Sequence, residues 1–133
     1  MDFEPWSVYS LENGLKTFLD DYKWSKVDCK GNIPSERKGM SFVELKGQFY
    51  LFGGISDLGS FNDFYSFNPN LNIWNQVQTK NGGPDVRADH ACIAAENDGL
   101  IIIGGRHQNM SYYNDMYYVS FGLSKFLERI RIN

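Results

Sequence analysis

The sequence predicts an all-β fold built from a repeated unit of about 50 residues. Three observations support this prediction. Landmark residues recur in the same order along the 133-residue chain, and diglycine pairs follow two apolar runs, QFYLF and GLIII. Aromatic residues make up 16% of the chain, as expected where large side chains fill the space between packed sheets.

The repeat is visible in pairs of residues separated by 50 to 52 positions. The pairs are Trp24 and Trp74, Pro34 and Pro84, Arg37 and Arg87, Gly53-Gly54 and Gly104-Gly105, Asn62-Asp63 and Asn114-Asp115, and Tyr65 and Tyr117. The order of features in each copy resembles a kelch repeat. It consists of an apolar strand, Gly-Gly, a polar loop, Asn-Asp and an aromatic strand. The resemblance covers two repeats and part of a third, and it implies a β-propeller made of four-stranded antiparallel blades.

Each landmark has a structural reason to be present. Glycine at positions 53, 54, 104 and 105 lets the backbone turn where blades crowd together and a Cβ would not fit. Trp24 and Trp74, with Tyr65 and Tyr117, supply large apolar surfaces for the layer between blades. These landmarks therefore indicate packing rather than chemistry.

The chain is interpreted as a single kelch domain over residues 1–133, with half a blade at residues 6–27. WSVYSL, at residues 6–11, echoes the third strand of the next repeat, and residues 22–27 are expected to form an outer strand. The chain is thus expected to begin halfway through a blade.

A full blade is predicted over residues 39–78, with strands at 39–45, 48–52, 63–67 and 73–78. Lys46-Gly47 fits a tight hairpin turn between the first two strands, and Gly82-Gly83-Pro84 marks the linker to the next blade.

A second blade is predicted over residues 89–133, with strands at 90–95, 100–103 and 115–121. Asp98-Gly99 is expected to supply the positive φ of a hairpin turn. Residues 122–133 show both helical spacing and strand alternation, and we interpret them as a degenerate outer strand.

Together the predicted strands make about two to two-and-a-half blades. This number cannot by itself close a propeller, which has about four to eight blades. Further blades, another chain or self-association would be needed to complete it, and the isolated chain is not expected to be a stable monomer. A fragment of a longer propeller is one interpretation of this count.

Composition and short sequence patterns limit the kinds of binding partner and the cellular compartment that we expect for this chain. The net charge of −3 and scattered basic residues give no footprint for nucleic acid. No apolar run reaches the roughly 18 residues of a membrane span, and the first residues lack the pattern of a signal peptide. Cys29 and Cys92 occupy non-equivalent repeat positions, as expected of reduced thiols in a cytoplasmic protein.

Five residues are candidates for partner binding: Arg37, Asp57, Arg87, Arg106 and His107. Arg37 and Arg87 each open a blade, where a guanidinium either holds carbonyls and a carboxylate or faces an acidic ligand. The kelch resemblance implies that peptide ligands meet the loops at 55–61 and 106–113 and those at 31–36 and 81–85. The R-x-x-H pattern of Arg87 and His90 is similar to that of many kelch repeats, and this resemblance implies an inter-blade hydrogen bond by His90.

No catalytic, metal or cofactor site is predicted. No nucleophile and base have supporting spacing, and two histidines without paired cysteines do not form a zinc motif. The preferred function is a protein–protein interaction module without intrinsic catalysis. The alternatives are part of a kelch-type enzyme or small-molecule-binding propeller whose site lies in other blades, or a non-functional truncated product.

Overall fold

A computed structural model describes residues 22–96 and 98–121 of the chain. This part contains ten strands and no helix, which confirms the all-β prediction. The strands are β1 Lys30–Gly31, β2 Ser41–Leu45, β3 Gln48–Phe52, β4 Ile55–Ser56, β5 Gly59–Ser60, β6 Phe64–Asn68, β7 Ile73–Gln76, β8 Ala91–Ala95, β9 Gly99–Ile103 and β10 Met116–Ser120.

The first large sheet has the strand order β1-β7-β6-β3-β2. Its four strands β2, β3, β6 and β7 pair antiparallel and form what we call blade 1. Their bounds lie within two residues of the predicted strands at 39–45, 48–52, 63–67 and 73–78. The sheet therefore has the four-stranded antiparallel form expected from the sequence.

The prediction of an outer strand at residues 22–27 is wrong. Residues 22–29 form no strand, and Trp24 is fully exposed instead of packed between sheets. The first strand is β1, which pairs parallel with β7, so that Lys30 N donates to Asn72 O at 2.9 Å and Asn32 N donates to Trp74 O at 2.8 Å. The edge of β7 offers backbone groups that need partners, and β1 supplies them. Residues 6–21 of the predicted half blade lie outside the described residues.

The second large sheet has the order β10-β9-β8, all antiparallel, and we call it blade 2. Its three strands match the predicted strands at 90–95, 100–103 and 115–121 to within one residue. The predicted fourth strand in residues 122–133 lies outside the described residues. The division of the chain into residues 6–27, 39–78 and 89–133 stays a prediction.

The two inner hairpins turn in different ways. Lys46 and Gly47 both have positive φ, 54° and 77°, which confirms a tight two-residue turn. In blade 2 the positive φ of 61° belongs to Asp98, whereas Gly99 lies inside β9 with no positive φ. A Cβ on Gly99 would lie 2.6 Å from the Tyr118 ring, so this glycine is required by close approach and not by the turn.

The core lies between the two blades. Alternation along the strands places Tyr50, Phe52 and Phe64 of blade 1 against Leu100 and Ile102 of blade 2, and all five are at most 5% exposed. Full burial of such a side chain contributes about 1.5–3 kcal/mol. The hydrophobic layer between sheets is thus the main attraction that holds the blades together.

Candidate functional site

Arg37 lies at the entrance to blade 1 and is held by a set of contacts that we call an arginine clasp. Its guanidinium forms a bidentate ion pair with Asp63, with Nη2 donating to Oδ2 at 3.0 Å. Nη1 also donates to Gly53 O at 3.1 Å, Nε donates to Ser35 O at 3.0 Å and Nη2 donates to Ser35 Oγ at 3.0 Å. The planar group lies 4.0 Å from the centre of the Phe61 ring. All five N–H donors of Arg37 are thereby engaged.

Arg87 forms the same clasp in blade 2. Nη1 and Nη2 donate to the two carboxylate oxygens of Asp115 at 2.5 and 3.0 Å. Nη1 also donates to Gly104 O at 2.8 Å, and Nε donates to Asp85 O at 3.2 Å. The Tyr113 ring lies under the guanidinium at 4.1 Å. The repetition shows that the arginine, the first glycine of the diglycine pair and the Asp of the Asn-Asp pair act as one unit in each repeat.

The clasp includes one position that the sequence reasoning missed. Phe61 and Tyr113 stand 52 residues apart, each directly before the Asn-Asp pair. An aromatic residue at the same place in both repeats was the available signal. Its role became visible only when the ring was found beneath the guanidinium, where cation–π attraction adds to the ion pair.

Burial and charge make the clasps structural. The side chain of Arg87 is fully buried and that of Arg37 is 3% exposed. The hydrogen bond from Arg87 lowers the pKa of the Asp115 carboxyl, and the same bond raises the pKa of Arg87. Both groups are therefore charged at neutral pH and hold each other. A role of Arg37 and Arg87 in binding an acidic ligand stays a prediction.

Arg106 follows the second diglycine and pairs with the start of blade 2. Its Nε donates to Asp89 Oδ2 at 2.6 Å, and its Nη1 contacts Met110 Sδ at 3.6 Å. Asp89 has a positive φ of 56° at the place where blade 1 has Gly39, with φ 66°. The position equivalent to Arg106 in the first repeat is occupied by Ile55, which has no charge, so this ion pair is specific to the second repeat.

His107 helps to shape the loop that follows Arg106. Its Nδ1 accepts a hydrogen bond from Asn109 N at 3.2 Å, and its backbone N–H donates to Ser111 O at 2.8 Å. Arg106 and His107 are thus adjacent as predicted, and each makes contacts inside its own loop or blade. Whether they bind a partner stays a prediction.

The loops of the two blades meet on one side of the molecule, which we call the loop face. It consists of the tip of the β4–β5 hairpin, Asp57-Leu58, and of residues 107–112. A Cβ on Gly59 would lie 3.6 Å from Gln108 Oε1, so the two loops are in contact. Three apolar side chains on these loops are strongly exposed: Leu58 at 89%, Met110 at 58% and Tyr112 at 75%. Sequence reasoning concentrated on charges and missed them, although apolar residues in polar loops were the signal.

His90 joins the two blades. Its Nε2 lies 2.9 Å from Ser41 Oγ, which confirms the predicted inter-blade hydrogen bond, and its ring meets the edge of Phe52 at 5.4 Å. Burial, and then the positive charge of Arg87, lower the pKa of His90 to about 4, and Asp89 opposes them. His90 is therefore neutral at pH 7.

Two further kinds of site are absent from the described residues. Residues 22–96 and 98–121 contain no group of three or more His, Cys, Asp or Glu that could hold a metal ion. Within the same part of the chain, no helix has the length and apolar character needed to cross a bilayer.

Comparison with known proteins decides the family. The KLHDC2/KLHL20/DRC7 Kelch-repeats domain matches residues 8–128, which is most of the chain. The chain belongs to the kelch-repeat family. Its two sheets are accordingly blades of a kelch-type β-propeller segment, and the segment is not a closed ring by itself.

The kelch segment is similar to parts of much longer and functionally diverse proteins. It is 29% identical to the Rho GTPase-activating protein gacHH of Dictyostelium discoideum, over 65% of this chain and 6% of that protein. It is 30% identical to the N-(sulfonatooxy)prop-2-enimidothioate sulfolyase of Thlaspi arvense, over 72% of this chain and 28% of that protein. It is 29% identical to Kelch domain-containing protein 2 of Bos taurus, over 73% of this chain and 29% of that protein. The chain thus spans 6 to 29% of the length of these three relatives.

Proposed function

We propose that this kelch segment is a protein-interaction module that binds a partner protein through its loop face. The observation that carries the proposal is the exposure of Leu58, Met110 and Tyr112 on loops that touch each other. Kelch domains generally serve as interaction modules, which agrees with this assignment.

The chemistry of the loop face favours an apolar contact with a polar rim. Aromatic residues and Met are enriched in protein interfaces, where a few buried side chains supply most of the binding energy. The guanidiniums of Arg37 and Arg87 are occupied by carboxylates, so they are poorly placed to attract an acidic partner. Asp57 and His107 lie at the rim, where they would contribute to orientation more than to affinity.

The test is the affinity of a partner after the apolar tips are shortened. A partner captured by the wild-type chain would be purified, and its Kd measured by titration calorimetry with the Leu58→Ser/Tyr112→Ser double variant. One central interface residue contributes about 2 kcal/mol, which corresponds to a factor of about 30 in Kd, so loss of both contacts is expected to weaken binding by more than that factor.

The matched control is Leu71→Ser. Leu71 is 61% exposed but lies in the turn between β6 and β7, outside the loop face. It should leave the Kd unchanged. A folded double variant that binds as tightly as the wild type would remove the loop face from consideration.

A second candidate function is participation in an enzyme. It is favoured by the relative named a sulfolyase, and it would place the catalytic residues in blades other than these two. If these blades carry no catalysis, the purified chain should not turn over the substrate in that relative's name. Measurable turnover by this chain would contradict that placement and would assign catalytic residues to these two blades.

We also propose a cytoplasmic location. Cys29 and Cys92 are both free, and burial raises the pKa of the Cys92 thiol, which keeps it in its unreactive protonated form. Microscopy of a tagged chain would test this location.

A further inference from the structure

We propose that Met110 is a reversible oxidation site, at which Arg106 binds the sulfoxide oxygen and oxidation removes one apolar tip from the loop face. The consequence for partner binding rests on the proposed function. The chemistry rests on the contact between the two side chains and does not require a partner.

Met110 is exposed at the tip of the loop that joins β9 to β10, with 58% of its side chain accessible. Counted back from the two Asn-Asp pairs, which stand 52 residues apart, Met110 corresponds to Leu58 in the loop of blade 1. Leu58 is 89% exposed although blade 2 follows blade 1 directly. The tip of this loop therefore stays accessible to small solutes when a following blade is in place.

Arg106 is fixed beside the Met110 sulfur. Its Nε donates to Asp89 Oδ2 at 2.6 Å, which holds the guanidinium, and its Nη1 lies 3.6 Å from Met110 Sδ. A thioether sulfur is only a weak acceptor, so a stronger acceptor at this place would gain a charge-assisted hydrogen bond. Among the described residues, Met116 is exposed to a similar degree, at 63%, but its sulfur has no such contact.

Oxidation by hydrogen peroxide would supply the stronger acceptor. A lone pair of the Met110 sulfur attacks one peroxide oxygen, and the S–O bond forms as the O–O bond breaks. The departing hydroxide takes the proton of the attached hydroxyl and becomes water, so the sulfur gives up the electron pair that the peroxide gains. Sulfoxide reductases reverse the change, and the modification can therefore act as a switch.

The geometry of the loop suits the oxidised side chain. An N–H···O hydrogen bond is about 2.9 Å long, and the sulfoxide oxygen is attached to a sulfur that already lies 3.6 Å from Nη1. The loop backbone is held, because Met110 N donates to His107 O at 3.0 Å and His107 N donates to Ser111 O at 2.8 Å. A small rotation of the Met110 side chain would thus bring the oxygen to the guanidinium.

The oxidised tip would no longer serve as an apolar contact. A sulfoxide is polar, so its burial against an apolar partner surface is unfavourable. Leu58 and Tyr112 would keep their apolar surfaces, whereas Met110 would be withdrawn towards Arg106. Oxidation is therefore expected to weaken partner binding about tenfold, as the loss of one interface side chain does.

The test is NMR spectroscopy of the free chain after treatment with hydrogen peroxide. Peptide mass mapping identifies which methionines gain an oxygen atom in the wild type, in Met116→Leu and in Met110→Leu. Oxidation should shift the proton–nitrogen signal of the Arg106 side chain in the wild type and in Met116→Leu, and a sulfoxide reductase should reverse the shift. Met110→Leu is the matched control, whose Arg106 signal should not move.

Exchange of Met for Leu conserves volume and should cost little stability, and a cooperative melt checks that both variants fold. The proposal would be overturned if Met110 stayed reduced at a peroxide concentration that oxidises Met116. An Arg106 signal that does not respond to oxidation of Met110, or that shifts equally in Met110→Leu, would also overturn it.

The effect on binding is measured separately, with a partner whose affinity depends on Leu58 and Tyr112. The oxidised Met116→Leu chain should bind more weakly than the reduced one, while peroxide-treated Met110→Leu should keep its Kd. Equal Kd values for the oxidised and reduced Met116→Leu chain would refute the regulation. A partner whose affinity never depends on the loop face would refute the proposed function instead, and the NMR result would still decide the oxidation site.

Discussion

At the scale of single residues, the two arginine clasps show how buried ion pairs connect parts of the segment. Each guanidinium holds a carboxylate and a diglycine carbonyl, and thereby ties together the start of a blade, the end of its second strand and the start of its third. A buried guanidinium without a carboxylate would be strongly unfavourable, so arginine and aspartate depend on each other. Each clasp thus holds together the two ends of the loop that contributes to the loop face.

Asp115→Asn should destabilise blade 2. The change leaves the fully buried Arg87 without its counter-charge, and breaking buried pairs costs about 3–5 kcal/mol. Because the Asp115 side chain is 34% exposed, we expect a smaller loss of about 2–3 kcal/mol in the free energy of unfolding, measured by urea denaturation. Asp85→Asn is the matched control, since Asp85 contacts Arg87 only through its backbone carbonyl. Equal stability of the two variants would show that the clasp contributes little.

His90 should make stability depend on pH between about 6.5 and 4. Its folded pKa of about 4 lies below the ordinary value of 6.5, so protonation favours the unfolded chain. The stabilisation is fully present above pH 6.5 and is lost as the pH falls towards 4, by about 1–2 kcal/mol, because solvent screening of the partly exposed ring reduces the effect of the shift. Urea denaturation of the wild type and of His90→Gln across this range measures the effect, because other titrating groups are common to both. Parallel pH profiles would contradict it.

At the scale of elements, the ends of β3 and β9 are where the repeat turns. Gly53 and Gly104 both have a φ of 65°, a conformation that L-residues rarely adopt, and both donate their N–H to the Asp of the clasp. They differ in their surroundings. A Cβ on Gly53 would lie 2.6 Å from Arg87 O of the adjacent blade, whereas a Cβ on Gly104 would lie 3.4 Å from Tyr113 O.

Gly53→Val should therefore destabilise the chain by more than the roughly 1 kcal/mol typical of point mutations, and by more than Gly104→Val. The first change adds a clash with a backbone atom to the strain that both share. Midpoints of thermal or urea denaturation give the comparison. Gly83→Ala should have little effect, because Gly83 has no positive φ and only an ordinary contact at 3.8 Å. An unchanged midpoint for Gly53→Val would show that the blade junction is not tight.

At the scale of the whole molecule, the two blades share one apolar layer and each presents a second apolar face outward. The buried layer is formed by Tyr50, Phe52 and Phe64 against Leu100 and Ile102. The free energy of unfolding of a typical domain is only about 5–15 kcal/mol. Leaving a face of several large apolar side chains in water forgoes hydrophobic stabilisation that is a considerable fraction of this free energy. The same alternation that builds the core thus predicts that the isolated 133-residue chain associates, which light scattering at several protein concentrations would measure.

The repeat and nearly all the described strands of both blades could be predicted from the amino-acid sequence alone. Period and alternation are local properties, so the sequence pattern located β3 to the residue. The kelch resemblance implied an inter-blade hydrogen bond by His90, and the structure identified Ser41 as its partner. The sequence also predicted the structural alternative for Arg37 and Arg87, because a guanidinium at a blade entrance needs acceptors.

Which surfaces are exposed depends on tertiary contacts that the sequence pattern does not reveal. Residues 22–27 have a strand-like pattern, but β7 takes β1 as its neighbour, since pairing at an edge depends on what lies there and not on propensity. Likewise the ion pair of Arg106 with Asp89, 17 residues away in sequence, was not visible in the sequence pattern. Exposure of Leu58, Met110 and Tyr112 depends on how two distant loops meet, and such non-local contacts are not encoded in any single stretch of the chain.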